Sequence, residues 1–377
     1  MKDEPIKVAQ IVGKWVGGGV ESVIMNYYTH IDRTKIQFDF ICDADSTNIP
    51  YKRIEELGGR VIIIPPYQKI FKYIKELGKV LKENNYKIIH SHINALSVFP
   101  LYVAKKTGVP VRIAHSHSTS NKKEWKKNLI KNMLRTFSKL FATDYMCCSE
   151  HAGRWLFGDK EYDKGNVYLL NNAIDIEKFK YNKKIRKAKR EELGIIANYK
   201  VIGHVGRFVE QKNHEYIIDV FNEIHKEDKN TILMLVGQGP LEEKIRDKVV
   251  TLGLEEYVKF LGQRDDINEL YQVFDIFLFP SIYEGLGLVL IEAQCSGLYC
   301  IASTEVPKMA NINNMVTFLD LNVDKRVWAD ILLNKLKKKN NRKNKRKKFA
   351  SKGFDINKEA NKLLDKYAIL RENTMQE

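Results

Sequence analysis

Arg207 and Lys212 stand five residues apart in Gly206-Arg207-Phe208-Val209-Glu210-Gln211-Lys212-Asn213, directly after an apolar run at 201–205. Two cations on a strand-to-helix turn can clamp a diphosphate and stabilise its growing charge as it leaves. The plain alternative is two exposed cations beside Glu210. A second stretch, Phe279-Pro280-Ser281-Ile282-Tyr283-Glu284-Gly285-Leu286-Gly287-Leu288-Val289-Leu290-Ile291-Glu292-Ala293, leads an apolar strand through a glycine-containing turn into a helix. A helix entered this way offers backbone N–H groups to an anion with hydroxyls nearby. Glu284 and Glu292 are eight residues apart, a rise of roughly 12 Å along a helix. The carboxylates of a retaining glycoside hydrolase sit about 5 Å apart, so the spacing argues against that chemistry. It suits two separate jobs along an extended ligand, one carboxylate on sugar hydroxyls and the other on ribose hydroxyls. Two ordinary helix-face glutamates are the bland reading.

A third turn, Val236-Gly237-Gln238-Gly239-Pro240, permits close backbone approach, although a lone G-x-G is a weak signal. In the first half, Gly17-Gly18-Gly19-Val20-Glu21 follows the first strand and opens a helix. His90-Ser91-His92 and His115-Ser116-His117 fall at strand ends. Side chains alternate along a strand, so each set puts both histidines on one face. Core or rim histidines are the alternative. The lone D-x-D, Asp43-Ala44-Asp45, follows the second strand, away from the diphosphate turns, and reads as a loop. Trp125, Leu129, Met133, Phe137 and Phe141 recur every four residues among Lys122, Lys123, Lys126, Lys127, Lys131, Arg135 and Lys139. That pattern predicts a basic amphipathic helix over 122–141. It suits an anionic lipid surface or packing on its own domain.

Positioning these residues takes two α/β domains. Val- and Ile-rich runs at 6–12, 37–42, 61–64, 88–91, 111–115 and 145–148 alternate with helical stretches such as 19–30, 70–84 and 95–107. The pattern returns with strands at 201–206, 231–236, 258–261, 276–279 and 299–302. This is the βαβ alternation of a parallel sheet covered on both faces. The expected domains are 1–175 and 176–355, two Rossmann-like folds facing a central cleft. An amphipathic helix over 356–377 returns to the first. Ligands of such sheets lie at the carboxyl ends of strands.

Composition bounds the class. The 377 residues are 44% hydrophobic, with a net charge of +16. Eleven of the eighteen residues from Lys335 to Lys352 are Lys or Arg. That segment reads as a solvated face or as an attraction for anionic lipid; nucleic acid is not the expected partner. No apolar run reaches the ~18 residues of a membrane span, and no apolar signal-peptide core follows Met1. The expected location is cytoplasmic, peripheral on the inner membrane face. Cys42, Cys147, Cys148, Cys295 and Cys300 lack the C-x-x-C spacing of a metal site and read as buried thiols.

The G-R-x-x-x-x-K turn at Gly206, the G-x-G-P turn at Gly237 and the P-S-x-x-E-G-x-G-x-x-x-x-E-A stretch at Pro280 resemble, in order and spacing, the family 4 retaining glycosyltransferases of GT-B fold. The resemblance covers nearly the whole chain. It implies that Arg207 and Lys212 bind donor phosphates, with Gly237 and Gly239 in the donor turn. It sets Glu284 against the donor sugar at the catalytic centre and Glu292 against the ribose. Gly285, Leu286, Gly287 and Leu288 would touch sugar and phosphates, and Gly262 and Arg264 would lie near the base. Gly17, Gly18 and Gly19 resemble the family's loop near the reaction centre, counted with the donor-binding residues. A histidine after this strand recurs in family active sites; His117 is the first choice here and His115 the second. The double His-Ser-His, with Arg112-Ile113-Ala114 between, and the tail Phe354-Asp355-Ile356 resemble the exopolysaccharide and capsule branch. Ala173 replaces a family glycine at the domain junction, and Tyr299 a proline. Both departures leave the donor open.

The implied reaction is a retaining hexosyl transfer from a nucleotide-diphosphate sugar, a UDP-sugar by expectation, to a lipid-linked saccharide. No metal and no cofactor are expected, because Arg207, Lys212 and a helix N-terminus can neutralise the leaving diphosphate. Residues 122–141 and 335–352 would meet an anionic membrane surface. The alternatives are a sugar-nucleotide epimerase of GT-B type and an inactive basic protein binding lipid or nucleic acid.

Overall fold

The computed structural model describes residues 4–117, 133–338, 342 and 345–374. The chain divides into two compact units, residues 1–173 with 353–377 and residues 174–352. The first holds a seven-stranded sheet of β1 (Ile6–Gly13), β2 (Ile36–Asp43), β3 (Arg60–Ile64), β4 (Ile88–Ser91), β5 (Val111–Ser116), β6 (Asp144–Cys147) and β7 (Val167–Leu169). Its order is β3-β2-β1-β4-β5-β6-β7, with every pairing parallel. The second holds β8 (Lys200–Val205), β9 (Thr231–Val236), β10 (Val258–Phe260), β11 (Ile276–Phe279), β12 (Tyr299–Ser303) and β13 (Val316–Leu319). They run β10-β9-β8-β11-β12-β13, again all parallel.

In each sheet the strand order reverses beside the first strand, between β1 and β4 and between β8 and β11. Loops part there, and doubly wound folds bind ligands at such switch points. The central strands read as near-continuous apolar runs because helices bury both faces. Beneath the second switch point, Ile202, Leu233, Leu235, Ile276, Leu278 and Ile301 pack against Phe221 and Trp328 of two covering helices. In the first unit, Ile11, Ile41 and Ile89 pack against Leu77, Leu81 and Leu101. These cores hold the strand ends rigid under the loops.

The last helix, Ile356–Asn373, begins at Asp355, whose carboxylate accepts from the Asn357 N–H. Its buried face carries Ile356, Ala360, Leu363, Tyr367 and Leu370, and it packs on the first helix, Gly19–His30. The fold is thus α/β of GT-B type, with the C-terminal helix returned to the N-terminal unit.

Sequence and structure differ locally. Strands β7 and β13 were not expected, and the expected helix over 95–107 is a 3-10 turn at Asn94–Ser97 followed by Val98–Lys106. Of the expected basic helix, residues 122–132 lie outside the described residues. Farther along, Met133, Phe137 and Leu140 are exposed, while Phe141 packs edge-on against Tyr102 at 5.2 Å. All five cysteines are buried and free. Among the described residues, no helix is long and apolar enough to cross a membrane.

Candidate functional site

The turn after β8 and the turn after β11 are bonded into one surface. Ile282 N–H donates to Gln211 O at 2.8 Å, Gln211 Nε2 to Tyr283 O at 3.0 Å, and Asn213 Nδ2 to Pro280 O at 3.2 Å. Beside these ties, Lys212 Nζ meets Glu284 Oε1 at 2.5 Å. The pair is largely sheltered, with side-chain exposures of 16% and 7%. The ammonium also stands 5.0 Å over the Phe279 ring, which adds a cation–π attraction. Arg207 is exposed on the same turn, with no ion-pair partner among the described residues. The structure therefore brings Lys212 and Glu284 together, with Arg207 free to reach a ligand.

The helix Leu288–Cys295 starts at Gly287, at φ +79°, with no side-chain cap. That left-handed conformation favours glycine, and an uncapped helix start offers its N–H groups to an anion. Leu286 and Gly287 are buried and Gly285 is exposed. Glu292, one turn inside the helix, accepts from Tyr271 Oη at 3.0 Å. Burial pushes its carboxyl up to about 7 against that hydrogen bond and the nearby Lys178 cation. Glu292 is therefore poised between its charged and neutral forms near neutrality. Glu284 and Glu292 make separate contacts, as their spacing indicates. Neither Tyr271, on the helix Ile267–Val273, nor the supporting Phe279 was singled out in the sequence. Tyr271 sits in no motif, and Phe279 reads as strand core.

The two glycine turns close the site's other side. Gly237 N–H donates to Gly262 O at 2.8 Å, and Phe208 N–H to Gln238 O at 3.1 Å. A Cβ on Gly237 would lie 2.2 Å from Gly206 O, and one on Gly239 2.5 Å from Phe208 O. These glycines are required by backbone packing whether or not a ligand touches them. Arg264 is turned onto Asp266 by two bonds of 2.8 and 2.6 Å. Beneath the turns, His204 donates from Nδ1 to Leu278 O at 2.9 Å while its Nε2 finds no partner among the described residues. Burial holds His204 neutral, its pKa driven down to about 3.

The first unit gathers a different set. Val16 N–H donates to Glu21 Oε1 at 2.9 Å, closing the Gly17-Gly18-Gly19 loop onto the helix it opens. A Cβ on Gly19 would meet nothing within 4 Å, so that side of the loop is open. His90 stacks on His92 at 4.2 Å and His115 on His117 at 3.9 Å. All four rings are buried. Burial drives every one below the ordinary imidazole range, His117 to about 3. They are neutral groups near pH 7. Nitrogens of His90, His92 and His115 lie within 4.8 Å of one another. Tetrahedral zinc with ~2.05 Å bonds needs its nitrogens about 3.3 Å apart, but here His90 Nε2 and His115 Nδ1 are hydrogen-bonded to each other at 3.0 Å. Of the D-x-D, Asp45 is paired with Lys14 at 2.8 Å. Asp43 is buried, its carboxyl pushed up to about 6.

Two doubly wound parallel sheets, each with open turns at its switch point, have the build of a GT-B glycosyltransferase. Residues 17–178 match the family described as Glycosyltransferase Family 4, and residues 185–353 match Glycosyl transferases group 1. EpsF of Bacillus subtilis (strain 168), a glycosyltransferase by name, is 34% identical over 338 residues, 88% of each chain. The Escherichia coli UDP-Gal:alpha-D-GlcNAc-diphosphoundecaprenol alpha-1,3-galactosyltransferase is 25% identical over 384 residues, 96% of each chain. Among solved structures, Anabaena HepE in complex with UDP and glucose is similar with a TM-score of 0.76 at 19% identity, over 96% of this chain and 99% of that one. The chain belongs to the family 4 glycosyltransferases.

Proposed function

We propose that the enzyme transfers a sugar, with retention, from a UDP-sugar to a saccharide carried on a lipid diphosphate, during assembly of a surface polysaccharide. The observation that carries the donor half is the Lys212–Glu284 pair beside the uncapped helix start at Gly287. A donor diphosphate would take the Lys212 ammonium and Arg207, and its sugar hydroxyls would take Glu284. Its ribose hydroxyls would donate to Glu292. Gly262 and Arg264 would flank the base, Arg264 after leaving Asp266. The first unit would contribute Gly17, Gly18, Gly19 and His117, with His115 behind it. No metal and no cofactor are needed, because the cations and helix dipole neutralise the departing charge. The acceptor hydroxyl attacks on the face the diphosphate leaves, and a donor phosphate oxygen takes its proton.

The lipid-linked acceptor is supported by the name of the Escherichia coli relative and by the His-Ser-His pattern. A peripheral place on the inner membrane face is proposed with it. The surface for that is narrower than the sequence suggests. In the 335–352 segment, Arg342 turns inward to the Tyr271 and Gln272 carbonyls, Lys335 covers the Tyr299 ring at 4.0 Å, and Arg346 pairs with Glu177.

The test is transfer from a panel of UDP-, GDP- and other activated sugars to a synthetic polyprenyl-diphosphate sugar, with and without EDTA. Transfer from a UDP-sugar that survives EDTA is expected. Donor conversion without acceptor would instead identify an epimerase, and no donor binding by calorimetry an inactive binding protein.

A further inference from the structure

Five hydrogen bonds join the four buried imidazoles to Gln10 on β1 and Tyr367 on the last helix. His117 Nε2 meets His92 Nδ1 at 2.8 Å, and His92 Nε2 meets Gln10 Oε1 at 2.7 Å. Gln10 Nε2 meets Tyr367 Oη at 3.2 Å, and Tyr367 Oη meets His90 Nδ1 at 2.6 Å. His90 Nε2 then meets His115 Nδ1 at 3.0 Å. The chain has two ends, His117 Nδ1 and His115 Nε2, and both are buried without a partner among the described residues. Gln10 and Tyr367 are 357 residues apart in sequence.

Donor and acceptor rules fix the protons of His92 and His117 once the Gln10 amide is placed, and those of His90 and His115 once the Tyr367 hydroxyl gives its proton to its remaining partner. The Gln10 carbonyl only accepts, so His92 must carry its proton on Nε2. A neutral imidazole has one N–H, so His92 Nδ1 accepts and His117 must donate from Nε2. Its Nδ1 is left with a lone pair. On the other branch, the Gln10 amide donates to Tyr367, whose own proton has His90 Nδ1 as its acceptor. His90 then donates from Nε2 to His115 Nδ1, and His115 carries its proton on Nε2. All four rings share one tautomer, and the two ends are opposite: a donor at His115 and an acceptor at His117.

We infer that Gln10 is a positioning residue that, through His92, holds His117 with a bare Nδ1 lone pair as a hydrogen-bond acceptor for a substrate hydroxyl. This rests on the proposal that His117 serves the transfer reaction; the tautomer itself does not. Tyr367 extends the same order to His90 and His115 and ties it to the seating of the C-terminal helix. Burial reinforces the order, since none of these rings is charged near neutrality.

The test is multiple-bond proton–nitrogen correlation on the full chain labelled with nitrogen-15 histidine, the signals assigned through single histidine variants. Neutral Nε2–H rings are expected at His90, His92, His115 and His117. An Nδ1–H or doubly protonated ring among them at pH 7 overturns the inference. Gln10→Glu keeps an acceptor opposite His92 and should leave His117 unchanged. Gln10→Leu should release His117 into a tautomer mixture, and Tyr367→Phe should disturb His90 and His115 only. Kinetically, Gln10→Leu should lower kcat on the order of ten-fold, the worth of one hydrogen bond, with donor KM unmoved and Gln10→Glu restoring the rate. An unchanged kcat in Gln10→Leu overturns the positioning role. A wild-type protein with no transferase activity would defeat the proposed function, and the spectra would still decide the tautomers.

Discussion

Lys212 and Glu284 neutralise each other in a sheltered turn, so removing either leaves the other charged and poorly solvated. Losing one partner of a buried pair costs about 3–5 kcal/mol, and the remaining exposure of this pair puts it toward the low end. Lys212→Ala should therefore lose both stability and transfer at saturating donor. Lys212→Ala with Glu284→Gln should recover the stability without the activity. Urea unfolding beside steady-state rates checks this, and undiminished transfer in Lys212→Ala would sink the donor-site assignment. Glu292 poses the opposite problem. Its carboxyl titrates at about 7 in the folded chain against 4.5 unfolded. Its contribution is thus fully present below pH 4.5 and lost as pH rises to 7. Above that, the sheltered carboxylate costs roughly 3 kcal/mol. Glu292→Gln should unfold at higher urea than wild type at pH 8, show no gain at pH 4.5, and raise donor KM.

At the scale of elements, the glycine turns separate packing from ligand binding. Gly237→Ala would drive a Cβ into the Gly206 carbonyl, at a backbone with φ +133°. We expect a loss of more than ~2 kcal/mol in thermal unfolding, with donor affinity falling as the turn shifts. Gly19→Ala meets nothing and adds a better helix former to the first turn of Gly19–His30. It should be neutral or stabilising by up to ~1 kcal/mol. If transfer nonetheless falls, that open side is space a substrate uses. Sequence exposes such turns because strand, glycine and cation lie within eight residues of one another. Edge strands β7 and β13 escape it: they are only three and four residues long and mostly half-exposed, too short for an alternating pattern to show. The strand-face rule placed His90 with His92 and His115 with His117. It could not place Gln10, His92 and Tyr367 in one chain, because that needs β1, β4, β5 and the last helix packed together. Likewise the motifs named Lys212 and Glu284 but not their salt bridge, 72 residues apart.

For the whole molecule, the unused protonation capacity of the buried histidines sets the limit of acid stability. His90, His92, His115 and His117 stay neutral when folded, well below the 6.5 of a free imidazole. Unfolded, they take up protons below pH 6.5. The unfolded state then binds more protons, and stability falls as pH falls, by about 1.4 kcal/mol per ring per pH unit. Four rings give on the order of 5 kcal/mol per unit. Asp43, pushed up to about 6 by burial, works in the other direction and offsets part of it. Domain stabilities of roughly 5–15 kcal/mol put acid unfolding of the first unit near pH 5. Because His90 is bonded to Tyr367 and His92 reaches it through Gln10, protonation of the cluster should unseat the helix Ile356–Asn373. Hydrogen exchange at pH 5.5 should show that helix, β4 and β5 losing protection before β8, β9 and β11. Equal protection of these elements at pH 7.5 and 5.5 would mean the rings are solvated in the folded chain, and that the bonded cluster does not hold the C-terminal helix in place.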